Sequence, residues 1–255
     1  MIEVIRPDWP APAHVRALVT TRQGGVSSGP YAGLNLSLSG GDAREAVLEN
    51  RRRLAGLLPA PPRWLSQVHG TTCVDAARVS DVTEADAAMT TRPGVVCAVL
   101  TADCLPVLLC AADGSAVAVA HAGWRGLRAG VIERTIDALR AAGAGELLAW
   151  YGPAIGPAAF EVGAEVRDAF VAEEATATVA FAPHGGGKFL ADIYALADLR
   201  LARRGVRRAT TTVFCTHTDA ARFYSYRRDG VTGRMATCIW IDEPPTPRPP
   251  PLGRG

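Results

Sequence analysis

No run of this 255-residue chain stays apolar for the ~18 residues that a membrane span needs, so no membrane partner is expected. The N-terminus, MIEVIRPDWP, lacks a basic segment followed by an apolar one. No secretory leader is read there, and the cytoplasm is the expected compartment. Neither sign of charge predominates: 27 Lys and Arg stand against 25 Asp and Glu, a net +2, so no footprint for nucleic acid is forced. Aromatic residues make up only 6%, which argues against a base-stacking nucleic-acid platform. Cys73, Cys97, Cys104, Cys110, Cys215 and Cys238 include no C-x-x-C pair. Without a leader, they read as free thiols in apolar runs rather than as disulfides. No internal repeat is visible.

What remains is ordinary globular material, 48% hydrophobic and 20% charged. Strands are predicted at 15–21 and 34–38, around the loop RQGGVSSGPYAG. Asp42, with Glu45 at capping-box spacing, predicts a helix through AREAVLENRRRLAGLL. Its apolar face carries Val47, Leu48, Leu54 and Leu58, with Arg51 in the middle. WLSQVHG reads as a strand leading to a loop, and VVCAVLTADCLPVLLC and SAVAVAHAG read as strands. A helix is predicted over 127–142, stopped by Gly143. ELLAWYG follows as a strand, and EVGAEVRDAFVAEE and FLADIYALADLRLARRG as helices. ATTTVFC, FYSYRR and MATCIWI close the pattern as strands, the last two as a hairpin across DGVTG. Irregular interleaving predicts one α+β domain with mixed sheets over residues 1–242, and a mobile Pro-rich tail over 243–255. Nothing in the pattern calls for more than a monomer.

The segment AVAVAHAGWRG, residues 116–126, places a histidine at the exit of a buried strand and two glycines just after it. A four-residue turn over AADG would pair Cys110 with Ser115 and, counting outward, set Cys104 opposite His121. Such a pair suits a shared zinc or a Cys–His nucleophile. Asp103 and His121 are polar ends of otherwise apolar strands, where sites are built. The helix opened by GWRG offers N–H donors to an anion. A catalytic zinc takes three protein ligands, and His69, at a strand end before glycine, is the best third. His217 is second choice; His14 and His184 are less suited. Arg51, inside an apolar stripe, either snorkels outward or pairs with an anion, such as the Asp86 carboxylate or a substrate phosphate. Arg125 and Arg228 are further anion candidates.

In order along the chain, WLSQVHG, TADCLPVLL, AVAHAGWRG, GPAIGPAAFEVG and FYSYRRDGVTGRMA resemble the YfiH family. Its members have been called multicopper polyphenol oxidoreductases or laccase-domain proteins, and are now regarded as purine nucleoside enzymes related to the protein FAMIN. The similarity spans about residues 1–242. It implies the family's α/β sandwich and a metal at His69, Cys104 and His121, zinc being expected and copper being the other choice. The implied activity is phosphorolysis of adenosine, inosine, guanosine and S-methyl-5'-thioadenosine to base and ribose 1-phosphate, with adenosine deamination at the same site. The partners would be purine nucleosides and phosphate. The family's motifs carry over at Arg51, Gln67, Asp103, Arg125 and Arg228. On this reading Asp103 shuttles a proton, and Arg51, Arg125 and the helix start at Gly126 hold phosphate. Some relatives carry cysteines where this chain has Ala159 and Phe160; neither position is an expected ligand. Five histidines are too few for a multicopper oxidase. The alternatives are a cysteine hydrolase or amidase acting on peptidoglycan precursors, with Cys104 as nucleophile and His121 as base; a copper-dependent polyphenol oxidase; or a non-enzymatic zinc module recruiting Cys73 or His217.

Overall fold

Two runs of small and branched apolar residues, Leu105–Ala111 and Val117–Ala122, are buried on both faces, and this sets the layer order. The computed structural model describes residues 1–79 and 83–242; the predicted tail at 243–255 lies outside the described residues. In chain order the elements are β1 (Val4–Ile5), β2 (Val15–Thr20), α1 (Arg44–Ala55), β3 (Cys73–Asp75), β4 (Ala87–Thr90) and β5 (Cys97–Thr101). There follow β6 (Leu105–Ala111), β7 (Val117–Ala122), α2 (Trp124–Ala129), α3 (Val131–Ala141), β8 (Leu147–Tyr151) and β9 (Glu161–Gly163). The rest are α4 (Ala164–Val171), β10 (Phe181–Pro183), β11 (Lys188–Ala191), α5 (Ile193–Ala202), α6 (Tyr226–Asp229) and β12 (Met235–Ile241).

The strands form a five-stranded sheet, β3-β4-β7-β6-β8, a four-stranded sheet, β1-β2-β12-β5, and a small sheet, β10-β11-β9. All pairings are antiparallel except β3 with β4. Strand alternation sorts the core. Leu105, Val107, Ala118 and Ala120 face a helical layer that includes Leu127, Val131, Ile136 and Leu139. Leu108, Cys110, Val117 and Val119 face Val15, Ala17, Val99 and Ile239 of the second sheet. The outer face of that sheet, with Leu18, Ala98 and Cys238, is covered by Leu34, Leu36, Leu54 and Trp64. The result is the expected α/β sandwich with mixed sheets: helices, sheet, sheet, and α1 with its loops. All six cysteines are free thiols. Among the described residues no helix is long and apolar enough to cross a membrane.

Several local expectations are corrected. The β6–β7 turn covers 112–115, closed by Ala111 N–H donating to the Ala116 carbonyl, so His121 pairs with Pro106 and not with Cys104. Residues 34–38 form no strand; Leu34 and Leu36 are buried, but their N–H groups bond the loop carbonyls of Arg22 and Arg234. Asp42 does not cap α1 through its side chain, because its carboxylate accepts from Ser27 Oγ and Asn35 Nδ2 and from the next N–H. Leu48 is exposed. The predicted helix at 127–142 is two helices, broken at Gly130, whose φ of 96° is left-handed. WLSQVHG makes only isolated bridges, and 161–163 and 188–191 are strands rather than helix starts. ATTTVFC is irregular, and no hairpin spans DGVTG. Ser225 Oγ accepts the Arg228 N–H and caps α6 instead.

Candidate functional site

His121 leaves the end of β7 on the face shared by Val117 and Val119, at the margin between the two large sheets. Its Nδ1 lies 2.8 Å from Asp86 Oδ1. Asp86 is fully buried just before β4, where its carbonyl accepts the His121 N–H at 2.7 Å. The same carboxylate accepts the N–H groups of Val68 (3.2 Å), His69 (3.0 Å) and Gly70 (2.6 Å). Burial alone would raise its pKa, but the His121 bond and these N–H donors hold it below the usual carboxylate value. Asp86 therefore shapes the 68–70 turn and fixes the His121 tautomer, leaving Nε2 as the outward donor.

His69, Cys104 and His121 bring their donor atoms within 4.8 Å of one another, and no other such cluster of three occurs among the described residues. The His69 and His121 rings meet edge to face, with centroids 4.7 Å apart. Gly123 makes the approach possible: a Cβ there would lie 2.6 Å from His69 Nδ1 and 3.0 Å from Cys104 Sγ. His69 (φ 59°) and Asp103 (φ 86°) are the non-glycine residues with left-handed backbone among those described, and both sit at this cluster.

A divalent metal fits. Two imidazoles and one thiolate are a three-donor set that leaves a position open to the cavity. Burial opposes charge on His121, yet Cys104 and Asp86 beside it push its pKa up to about 9. His69 is shifted down, first by burial and then by His121, with Arg125 and Arg234 adding to the effect.

The cluster opens into a cavity of about 670 Å³. Gln67, Asp103 and Arg125 line it as the sequence suggested. Gln67 spends its amide on the Leu100 backbone, at 2.8 and 2.7 Å. Asp103 accepts Thr216 Oγ1 and the Arg227 N–H, both at 2.6 Å, and these bonds anchor the start of α6 beside the cluster. Arg51, Gly126 and Arg228 are not on the cavity wall. Arg51 lies over Trp64 and donates to the Leu36 carbonyl, and Asp86 is taken up by His121 and the 68–70 turn. A Cβ on Gly126 would meet the Gly70 carbonyl oxygen at 2.8 Å, so this glycine seats the ligand turn. Arg228 clamps the carbonyls of Thr216, His217 and Phe223. His217 and Cys73 stand outside the cluster.

Sequence reasoning missed Arg227, Arg234 and Tyr226 on the wall, and the carboxylate post at Asp86. Asp86 did leave a trace: a lone acid inside the small-residue run ADAAMTT. Arg227 and Arg234 left none that separates them from Arg228.

A four-layer sandwich with a two-histidine, one-cysteine centre at the sheet margin defines the class of protein. Residues 16–242 match the family described as multi-copper polyphenol oxidoreductase laccase. The chain belongs to that family, the one the sequence motifs resembled under the name YfiH. It is 56% identical over 240 residues to a Pseudomonas aeruginosa protein named as a purine nucleoside phosphorylase, covering 94% of this chain and 98% of that one. It is 52% identical over 244 residues to the Escherichia coli purine nucleoside phosphorylase YfiH, covering 94% and 100%. A crystal structure of a Neisseria meningitidis protein superposes with a TM-score of 0.88 at 49% identity, over 94% and 99% of the two chains. YlmD from Geobacillus stearothermophilus gives 0.79 at 31%, over 91% and 93%.

Proposed function

We propose that this chain is a zinc-dependent purine nucleoside phosphorylase that also deaminates adenosine in the same cavity. Its substrates would be adenosine, inosine, guanosine and S-methyl-5'-thioadenosine. The observation that carries the reading is one cavity wall holding both the His69–Cys104–His121 centre and three arginines, Arg125, Arg227 and Arg234. Relatives more than half identical are named for the phosphorylase activity.

In phosphorolysis a phosphate oxygen bonds to the anomeric carbon, the bond to the purine nitrogen breaks, and the base leaves with a proton. The arginines neutralise the incoming anion and hold it in line. Asp103 keeps Arg227 in place by accepting its N–H. Zinc, when bound, supplies Lewis acidity toward an oxygen nucleophile, which is what deamination at C6 requires. Product analysis tests the proposal. Inosine should be consumed only with phosphate, giving hypoxanthine and ribose 1-phosphate, whereas adenosine should give inosine without it. Metal-loaded protein that changes neither nucleoside would overturn the reading.

One observation favours a second reading. Asp86, His121 and Cys104 form a relay, with His121 between a carboxylate and a thiol, as a cysteine hydrolase would require. That reading gives His69 no part. It expects activity to survive chelation and to be lost on alkylation of Cys104; the phosphorylase reading expects loss on chelation.

A further inference from the structure

The cavity is aromatic as well as basic. Of 5 Trp, 5 Tyr and 6 Phe in the chain, Trp124, Phe160 and Tyr226 line it. Each carries a guanidinium: Arg125 over Trp124 at 4.5 Å, Arg227 over Phe160 at 5.5 Å, and Arg234 over Tyr226 at 5.9 Å. Phe160 is 7% exposed, whereas Tyr226 is 60% exposed. Tyr226 is nonetheless held in position. Ser225 caps its helix, and Asp103, next in sequence to the ligand Cys104, accepts the N–H of Arg227.

We propose that Tyr226 is the platform on which the nucleobase stacks. The inference rests on the nucleoside reading of the cavity. An exposed ring on a concave wall offers apolar area and a π-face that only a flat ligand covers well. Arg234 over the ring adds a cation–π contact. Stacking reads the face of a base and not its hydrogen-bonding edge, so Tyr226 holds a purine base without sorting among purine nucleosides.

Calorimetric titration of the zinc-loaded protein with inosine, guanosine and, separately, inorganic phosphate tests this. Tyr226→Ala should weaken both nucleosides by the same factor, about 5- to 100-fold, weaken phosphate much less through the loosened Arg234, and leave zinc content unchanged. Tyr226→Phe should retain the affinity, since the ring is kept. Unchanged inosine affinity in Tyr226→Ala would overturn the proposal, as would equal loss of inosine and phosphate, which is what a structural role predicts. Should wild-type protein bind inosine through Tyr226 yet never cleave it, the phosphorylase reading fails and the platform stands. Should it bind no nucleoside, both fail.

Discussion

Asp86 is not on the cavity wall, yet two of the three clustered residues depend on it. It accepts the His121 ring N–H and three successive backbone N–H groups around His69. Asp86→Asn keeps the shape but replaces an acceptor oxygen with an NH₂ that opposes those donors. Metal affinity should fall about 10- to 100-fold, read by competition with a chromogenic chelator. Stability should fall by about 2 kcal/mol or more in denaturant unfolding, because buried N–H groups lose their acceptor. Unaltered metal affinity in a folded variant would show that the post is dispensable. His69, Cys104 and His121 were legible in the sequence because each is a chemistry-bearing residue at the end of an apolar or glycine-flanked run. Asp86 was named only as a possible partner for Arg51, because a buried carboxylate is recognised by what surrounds it, and its surroundings come from segments 16 to 35 residues away.

At the level of elements, the junction of β7 and α2 shows how the three residues come together despite a mistaken register. The turn closes one residue later than counted, which moves Cys104 off the strand ladder altogether. It still reaches His121, because the left-handed backbone at Asp103 redirects the chain and Gly123 leaves room opposite. Gly123 has an extended backbone, φ −62° and ψ 154°, that alanine adopts without strain. Gly123→Ala should therefore fold normally but lose metal, by pressing a methyl group against His69 and Cys104. Metal analysis together with thermal melts separates the two effects; full metal occupancy in the variant would refute the crowding argument. A second prediction concerns α1, where Glu49 bridges Arg52 and Arg53 at 2.7 and 2.8 Å. Bonds from Arg52 and then Arg53 lower its pKa from 4.5 to about 2. The folded value lies below the unfolded one, so the pair stabilises fully above pH 4.5 and loses its effect as pH falls toward 2. Glu49→Gln should flatten the fall in melting temperature over that window, by a small amount because the pair is solvent-exposed. Identical slopes in the two proteins would remove Glu49 from acid unfolding.

On the scale of the whole molecule, the sandwich was legible as a class and not as a topology. Period-two alternation marked the strands, but β12 inserts between β2 and β5 from the far end of the chain, and no local pattern announces such a pairing. The same long-range closure should keep the fold independent of any bound metal. His69 and His121 sit at a turn and a strand end whose N–H groups are already bonded, and the core layers lie elsewhere. Chelation should remove the metal without altering circular dichroism, and re-addition should restore activity; cooperative unfolding on chelation would contradict this. A cradle assembled by its own hydrogen bonds has a further consequence. A metal bound there would not have to organise its ligands, so no ion would gain an advantage from being the one that folds them best. Among divalent ions a donor set of this kind ranks copper above zinc. Occupancy then follows which ion the surroundings supply, and the metal found in a purified sample records its exposure history as well as its chemistry.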